Sequence, residues 1–181
     1  MSLPKPSVPA LDDIEANVRW LRDVEIIKQL AQRYAHGIDT MDFAMVRSVF
    51  HPDCRVAGTL EDGPLEPYLE GIEEGLKQWS ATFHFMGNQY VTVNGDEGQL
   101  ETWALAHHME AEGSPLDDLV LALRYQDDVV RVDDEWKIIR RKMVKQWHRG
   151  PFPRPSLGPP IYPRLSATDA TDAPNERGQP R

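Results

Sequence analysis

The chain has 181 residues, 40% apolar and 27% charged, the composition of one soluble globular domain and too short for two with linkers. Its 29 acidic and 20 basic residues give a net charge of -9, which argues against nucleic acid as a partner, since phosphate binding rests on clustered Lys and Arg. The single cysteine, Cys54, excludes an intramolecular disulfide and a cysteine-built metal site, and no run approaches the roughly 18 apolar residues of a membrane span.

Residues 1–12 carry Pro4, Pro6 and Pro9 and read as a flexible arm. They lack the apolar core of a signal peptide, so a cytoplasmic location is the expectation. From Asp12 or Asp13 the pattern turns helical. Val18, Leu21, Val24, Ile27, Leu30, Tyr34 and Ile38 recur at spacings of three and four, one stripe of a long amphipathic helix, with Gly37 as its expected stop and Asp39 just beyond. Asp42 is placed to cap a second, short helix through Phe43, Val46, Val49 and Phe50, closed by His51-Pro52. A short strand at residues 55–58 leads into a loop at 58–67. Tyr68, Ile72, Leu76 and Trp79 then mark a third helix with Pro67 in its first turn.

From Thr82 the apolar period changes from about 3.6 to 2. Tyr90, Val91 and Val93 form a strand ending at the turn Asn94-Gly95-Asp96. Residues 100–110 and 119–132 read as two longer strands. After the turn Asp133-Asp134 a last strand runs from Trp136 to Trp147. Connections this short allow only antiparallel neighbours. The extension 149–181 holds prolines at 151, 153, 155, 159, 160, 163, 174 and 180. Phe152, Leu157, Ile161 and Tyr162 are expected to lie along a surface, and residues 167–181 to be disordered. The domain proper is therefore 13–148, an α+β unit of three N-terminal helices packed on a curved, mainly antiparallel sheet that leaves a conical cavity.

Several stretches carry a resemblance: Tyr34-x4-Asp39-x2-Asp42, Val49-Phe50-His51-Pro52-Asp53 and Thr82-Phe83-His84-Phe85-Met86-Gly87-Asn88. They continue with Ala104-Leu105-Ala106-His107-His108, Tyr125-Gln126-Asp127 and Asp133-Asp134-Glu135-Trp136-Lys137-Ile138. In this order and spacing, over roughly residues 15–148, they resemble the SnoaL-like group of the NTF2-like superfamily. The resemblance implies a cone-shaped α+β barrel, commonly dimeric through the outer face of its sheet. It leaves function open, because the fold hosts dehydratases, isomerases, dehydrohalogenases, cyclases, dioxygenase small subunits and non-enzymatic adaptors. His84-Phe85-Met86-Gly87 is similar to a segment of scytalone dehydratase, and pairing a helix-end Asp with such a His is similar to hexachlorocyclohexane dehydrochlorinase and the bile-acid dehydratases. A second tyrosine to match scytalone dehydratase is not identified.

The implied catalytic set is His84, Asp39, Tyr34 and one of His107 or His108. An imidazole takes a proton near neutral pH provided a carboxylate fixes its tautomer, the role given to Asp39. Tyr34 would hydrogen-bond an oxygen that gains charge. His107 and His108 face opposite sides of a strand. Thr102, Ala104, Ala106 and His108 form the small parity that leaves room for a ligand; Trp103, Leu105, His107 and Met109 form the bulky one, suited to another subunit. His108 is therefore chosen. Arg141 is preferred over Arg140, and with Phe85, Trp79 and Thr102 it completes the expected substrate-binding set. The bland alternatives are a core histidine at 84, a capping role for Asp39 and simple packing for Tyr34. Asp39, His84 and His108 suit iron or zinc by type but lack any local ligand spacing, so neither a metal nor another cofactor is expected. Cys54 follows Pro52-Asp53 without a nearby activating base, and acidic neighbours would raise its pKa, so it is not expected to be a nucleophile. The expected substrate is small, apolar or cyclic; the expected assembly is a homodimer or homotrimer, with no nucleic acid and no membrane. The rivals are a non-catalytic binding or assembly module and the small subunit of a ring-hydroxylating dioxygenase.

Overall fold

The structure is a computed structural model that describes residues 5–58 and 63–153. Helices α1 (Ile14–Thr40) and α2 (Phe43–Ser48) come first, then strands β1 (Phe50–Ala57) and β2 (Gly63–Pro64) and helix α3 (Leu65–Leu76). Four long strands follow: β3 (Ala81–Asn94), β4 (Glu97–Met109), β5 (Leu119–Val132) and β6 (Glu135–Arg149). Residues Leu157, Ile161 and Tyr162 and the 167–181 segment, for which surface packing and disorder were expected, lie outside the described residues, as do 1–4 and 59–62.

Asp13 starts α1 by accepting the Ala16 N–H at 3.0 Å. The helix buries Ile27, Leu30, Ala31, Tyr34 and Ile38, whereas Val18 and Leu21 of the predicted stripe stay exposed, so only its later turns face the core. Gly37 does not stop the helix. A Cβ there would sit 2.7 Å from Val46 Cγ2, so Gly37 instead lets α2 pack against α1. The helix ends one turn later at Met41, in the left-handed conformation (φ 59°), and Asp39 is thus inside the last turn of α1 rather than beyond it.

The sheet order is β2-β1-β6-β5-β4-β3. Strands β3 to β6 form an antiparallel meander, but β1 lies parallel to β6, so the sheet is mixed, and its two edge strands do not meet to close a barrel. The sheet is mainly antiparallel, as expected, and its one parallel pairing joins residues near 55 to residues near 140, a separation with no local signal. β1 also starts earlier than expected. Pro52, which cannot donate to a ladder, falls in the break between the Phe50 and Arg55 pairings.

The three helices lie against one face of the curved sheet, an α+β arrangement with one continuous core from α1, α2, α3 and that face. An ion pair pins α1 across the sheet end: Arg131 grips both oxygens of buried Asp23 at 3.0 and 2.7 Å, and Trp136 donates to the same carboxylate at 3.1 Å. Among the described residues no helix is long and apolar enough to cross a membrane.

Candidate active site

Where the last turn of α1 meets the start of β3, the Asp39 carboxylate receives three hydrogen bonds. They come from the His84 backbone N–H (2.7 Å, Oδ2), the His84 ring at Nδ1 (2.7 Å, Oδ1) and the Thr82 hydroxyl (2.9 Å, Oδ1). Thr82 and His84 share one face of β3, and Asp39 reaches both because the helix axis ends over that strand. Burial by itself pushes the Asp39 carboxyl up, but the hydrogen bonds and charge of His84, with Thr82, outweigh it and hold the carboxyl below its usual range. An ionised Asp39 only accepts, so Nδ1 of His84 carries the hydrogen. Nε2, with no hydrogen bond among the described residues, is left with its lone pair. The imidazole side chain is 6% exposed and that of Asp39 21%.

His108 stands beside this pair, its ring centroid 5.7 Å from that of His84 and 5.2 Å from the Trp79 indole. Burial, and then the charge of His84, push its pKa down to about 4, so it is neutral near pH 7. Its Nδ1 is buried without a partner among the described residues. His107 points the other way, to Asp118 at 2.9 Å.

Tyr34 belongs to a different cluster. Its hydroxyl lies 3.0 Å from that of Tyr68, its ring meets Tyr125 and Phe50 edge-on, and the Arg141 guanidinium sits 4.2 Å above it. The Tyr125 row of the sheet is four residues along β4 from the His84 row, about 13 Å at the strand rise. No hydrogen bond or ring contact joins Tyr34 to His84, so the hydroxyl expected beside the histidine is turned to Tyr68 instead. Tyr68 is the partner tyrosine that sequence reasoning missed; it stood only as an apolar position of α3. Burial pushes both the Tyr68 and Tyr125 phenols well up, and both stay protonated.

Arg141 is fully buried and forks onto Asp127 at 2.8 and 2.7 Å. The carboxylate overcomes burial and holds the guanidinium protonated. Only Nη1 is left without a partner among the described residues, one nitrogen with its N–H donors to offer a ligand. Thr102 is also fully buried, its hydroxyl without a partner among the described residues. Cys54, close to Arg141, is pushed by burial up to about 12.

Phe85 corrects the expectation most clearly. Phe83 and Phe85 are 55% and 57% exposed on the convex face, opposite His84, because neighbours along a strand point to opposite sides. Neither can touch what His84 touches. His84 is instead flanked by the His108 ring, with Ala106 across the ladder and Thr82 on the same face of β3. Asp39, His84 and His108 do not converge as metal ligands, nor does any other group of three His, Cys, Asp or Glu among the described residues.

Residues 19–142 match the SnoaL-like domain family. An uncharacterized protein of Mycobacterium tuberculosis is 31% identical over 139 residues, spanning 75% of this chain and 93% of that protein. Among solved structures, a candidate scytalone dehydratase from Novosphingobium aromaticivorans superposes with a TM-score of 0.65 at 23% identity, covering 78% of this chain and 94% of that one. A hexachlorocyclohexane dehydrochlorinase from Novosphingobium barchaimii gives 0.65 at 14% identity, covering 79% and 99%. At these identities the two structures speak for the fold alone.

Proposed function

Because this chain belongs to the SnoaL-like domain family, a fold related to dehydratases and isomerases, we propose that it is a cofactor-free lyase or isomerase of small cyclic substrates, with His84 as general base. The observation that carries this is the Asp39 carboxylate 2.7 Å from Nδ1 of His84, which fixes the tautomer and leaves Nε2 free to take a proton. In an elimination, a carbon-bound proton passes to Nε2 and the C–H electron pair forms the double bond. The hydroxyl on the next carbon departs as water, taking the proton back from the imidazolium. Returning the proton to another carbon instead makes an isomerase. Neutral His108 would hydrogen-bond the leaving oxygen, and Tyr34 and Arg141, about 13 Å away along the strands, lie beyond reach of the transferred proton.

The test is a panel of cyclic β-hydroxy ketones and halogenated cyclohexanes, scored by mass spectrometry for loss of water or hydrogen halide. His84→Asn and Asp39→Asn should each lower turnover about 10²- to 10⁴-fold with an unchanged thermal midpoint. Equal turnover in both variants and the unaltered protein would remove His84 from the chemistry.

A second reading, a non-catalytic binding or assembly module, draws support from how closed the site is: the His84 side chain is nearly covered and Trp79 packs on His108. No turnover across the panel, with unaltered assembly of the His84 variant, would favour it. In either case we propose a homo-oligomer joined through the convex face. There Phe85, Leu105, Ala122 and Trp147 align in one register row, and all but Ala122 are exposed.

A further inference from the structure

The register also aligns His84, Ala106, Leu121 and His148 in one row on the concave face, and Met86, Ala104, Leu123 and Lys145 in the next. Leu123 belongs to the core and Leu121 packs on it, which fixes Lys145 and His148 to the same side as His84. After β6 the chain turns at Gly150, left-handed at φ 88°, where a Cβ would collide with the Asp118 carbonyl oxygen. The turn brings Phe152 back over this face. Its ring lies 5.4 Å from the His148 ring and 4.2 Å from the Lys145 ammonium. In a chain whose acids outnumber its bases 29 to 20, Lys145 has no acidic partner among the described residues. The row from His84 to His148 crosses three inter-strand spacings of about 4.8 Å, about 14 Å along the sheet, over apolar side chains.

We propose that Lys145, His148 and Phe152 form the far end of the substrate site and select molecules that carry a carboxylate at the end of an apolar body about 14 Å from the atom His84 attacks. This rests on the proposed lyase or isomerase reading and adds the substrate class: an amphipathic acid. The Phe152 ring buries the last apolar atoms, and the ammonium meets the carboxylate where a neutral ester or amide finds no partner. Because Lys145 is exposed, the selection is modest and weakens with salt.

The probe is dansylaminoundecanoic acid, compared by fluorescence titration with its methyl ester, which has the same apolar body and no charge. The acid should bind the unaltered protein about fivefold tighter than the ester, the most an exposed ion pair supplies. Raising the salt should narrow the gap. In Lys145→Gln/His148→Gln the acid should fall to the affinity of the ester, with the far-UV spectrum unchanged. His84→Asn should keep the preference, so loss of turnover there and loss of selection in the double variant are read separately. Equal affinities in the unaltered protein, a preference that survives the double variant, or no binding of the acid would each overturn the proposal.

Discussion

His108 owes its place to Trp79 and His84, and that place has a cost in acid. Its folded pKa, about 4, lies below the ordinary histidine value of 6.5, so the unfolded chain binds the extra proton between those two values. Stability is therefore full above about pH 6.5 and falls as the pH drops toward 4. The unaltered protein should lose about 2–3 kcal/mol more than His108→Gln between pH 7 and pH 4.5, read by urea unfolding. Identical losses would mean the imidazole is not buried as described. Asp39 follows the same sign in a lower window: its lowered pKa gives stability present above the ordinary carboxylate value and lost only below it, so pH 4.5 separates the two groups. The identity of the residues around His84 was only half legible in the sequence. Alternation along β4 separates His108 from His107, yet flanking phenylalanines say nothing about the surroundings of His84, because they belong to the other face.

At the scale of elements, the β5-β6 hairpin carries the buried Asp127–Arg141 pair. Arg141→Met should destabilise by about 3–5 kcal/mol, since it strands a buried carboxylate, and the double change with Asp127→Leu should recover most of that in a double-mutant cycle. An additive double variant would show that the two side chains do not act as a pair. This hairpin was also the most legible part of the chain. β5 has the bounds its alternating pattern gives, and Asp133 and Asp134 both adopt positive φ (49° and 63°), the two-residue turn that the acidic pair signals. β1 was not legible. The helical spacing of Phe43, Val46 and Val49 runs straight into it, and its ladder partner lies in β6. β2, two residues long, has no periodicity to read.

For the whole molecule, the sheet separates two surfaces with different tasks. Side chains of one parity on β3 and β4 meet the helices, and the other parity leaves Phe83, Phe85, Trp103 and Leu105 on the convex side, joined there by Trp147 of β6. If that side joins protomers, Phe85→Glu/Trp103→Glu should convert the oligomer to a monomer in sedimentation velocity while leaving His84 and Asp39 in contact; an unaltered protein that is already monomeric would refute the interface. The parallel seam between β1 and β6 reaches furthest in time as well as in sequence. The meander β3 to β6 closes through short turns, whereas β1, paired locally only with the two-residue β2, joins the meander only once residues near 140 are in place, a late and entropically costly loop closure. The first third of the chain thus leaves the ribosome before the edge it must join has been made. Pulse-labelling hydrogen exchange should find amides of β4 and β5 protected before those of β1, and simultaneous protection would place the seam in the folding nucleus.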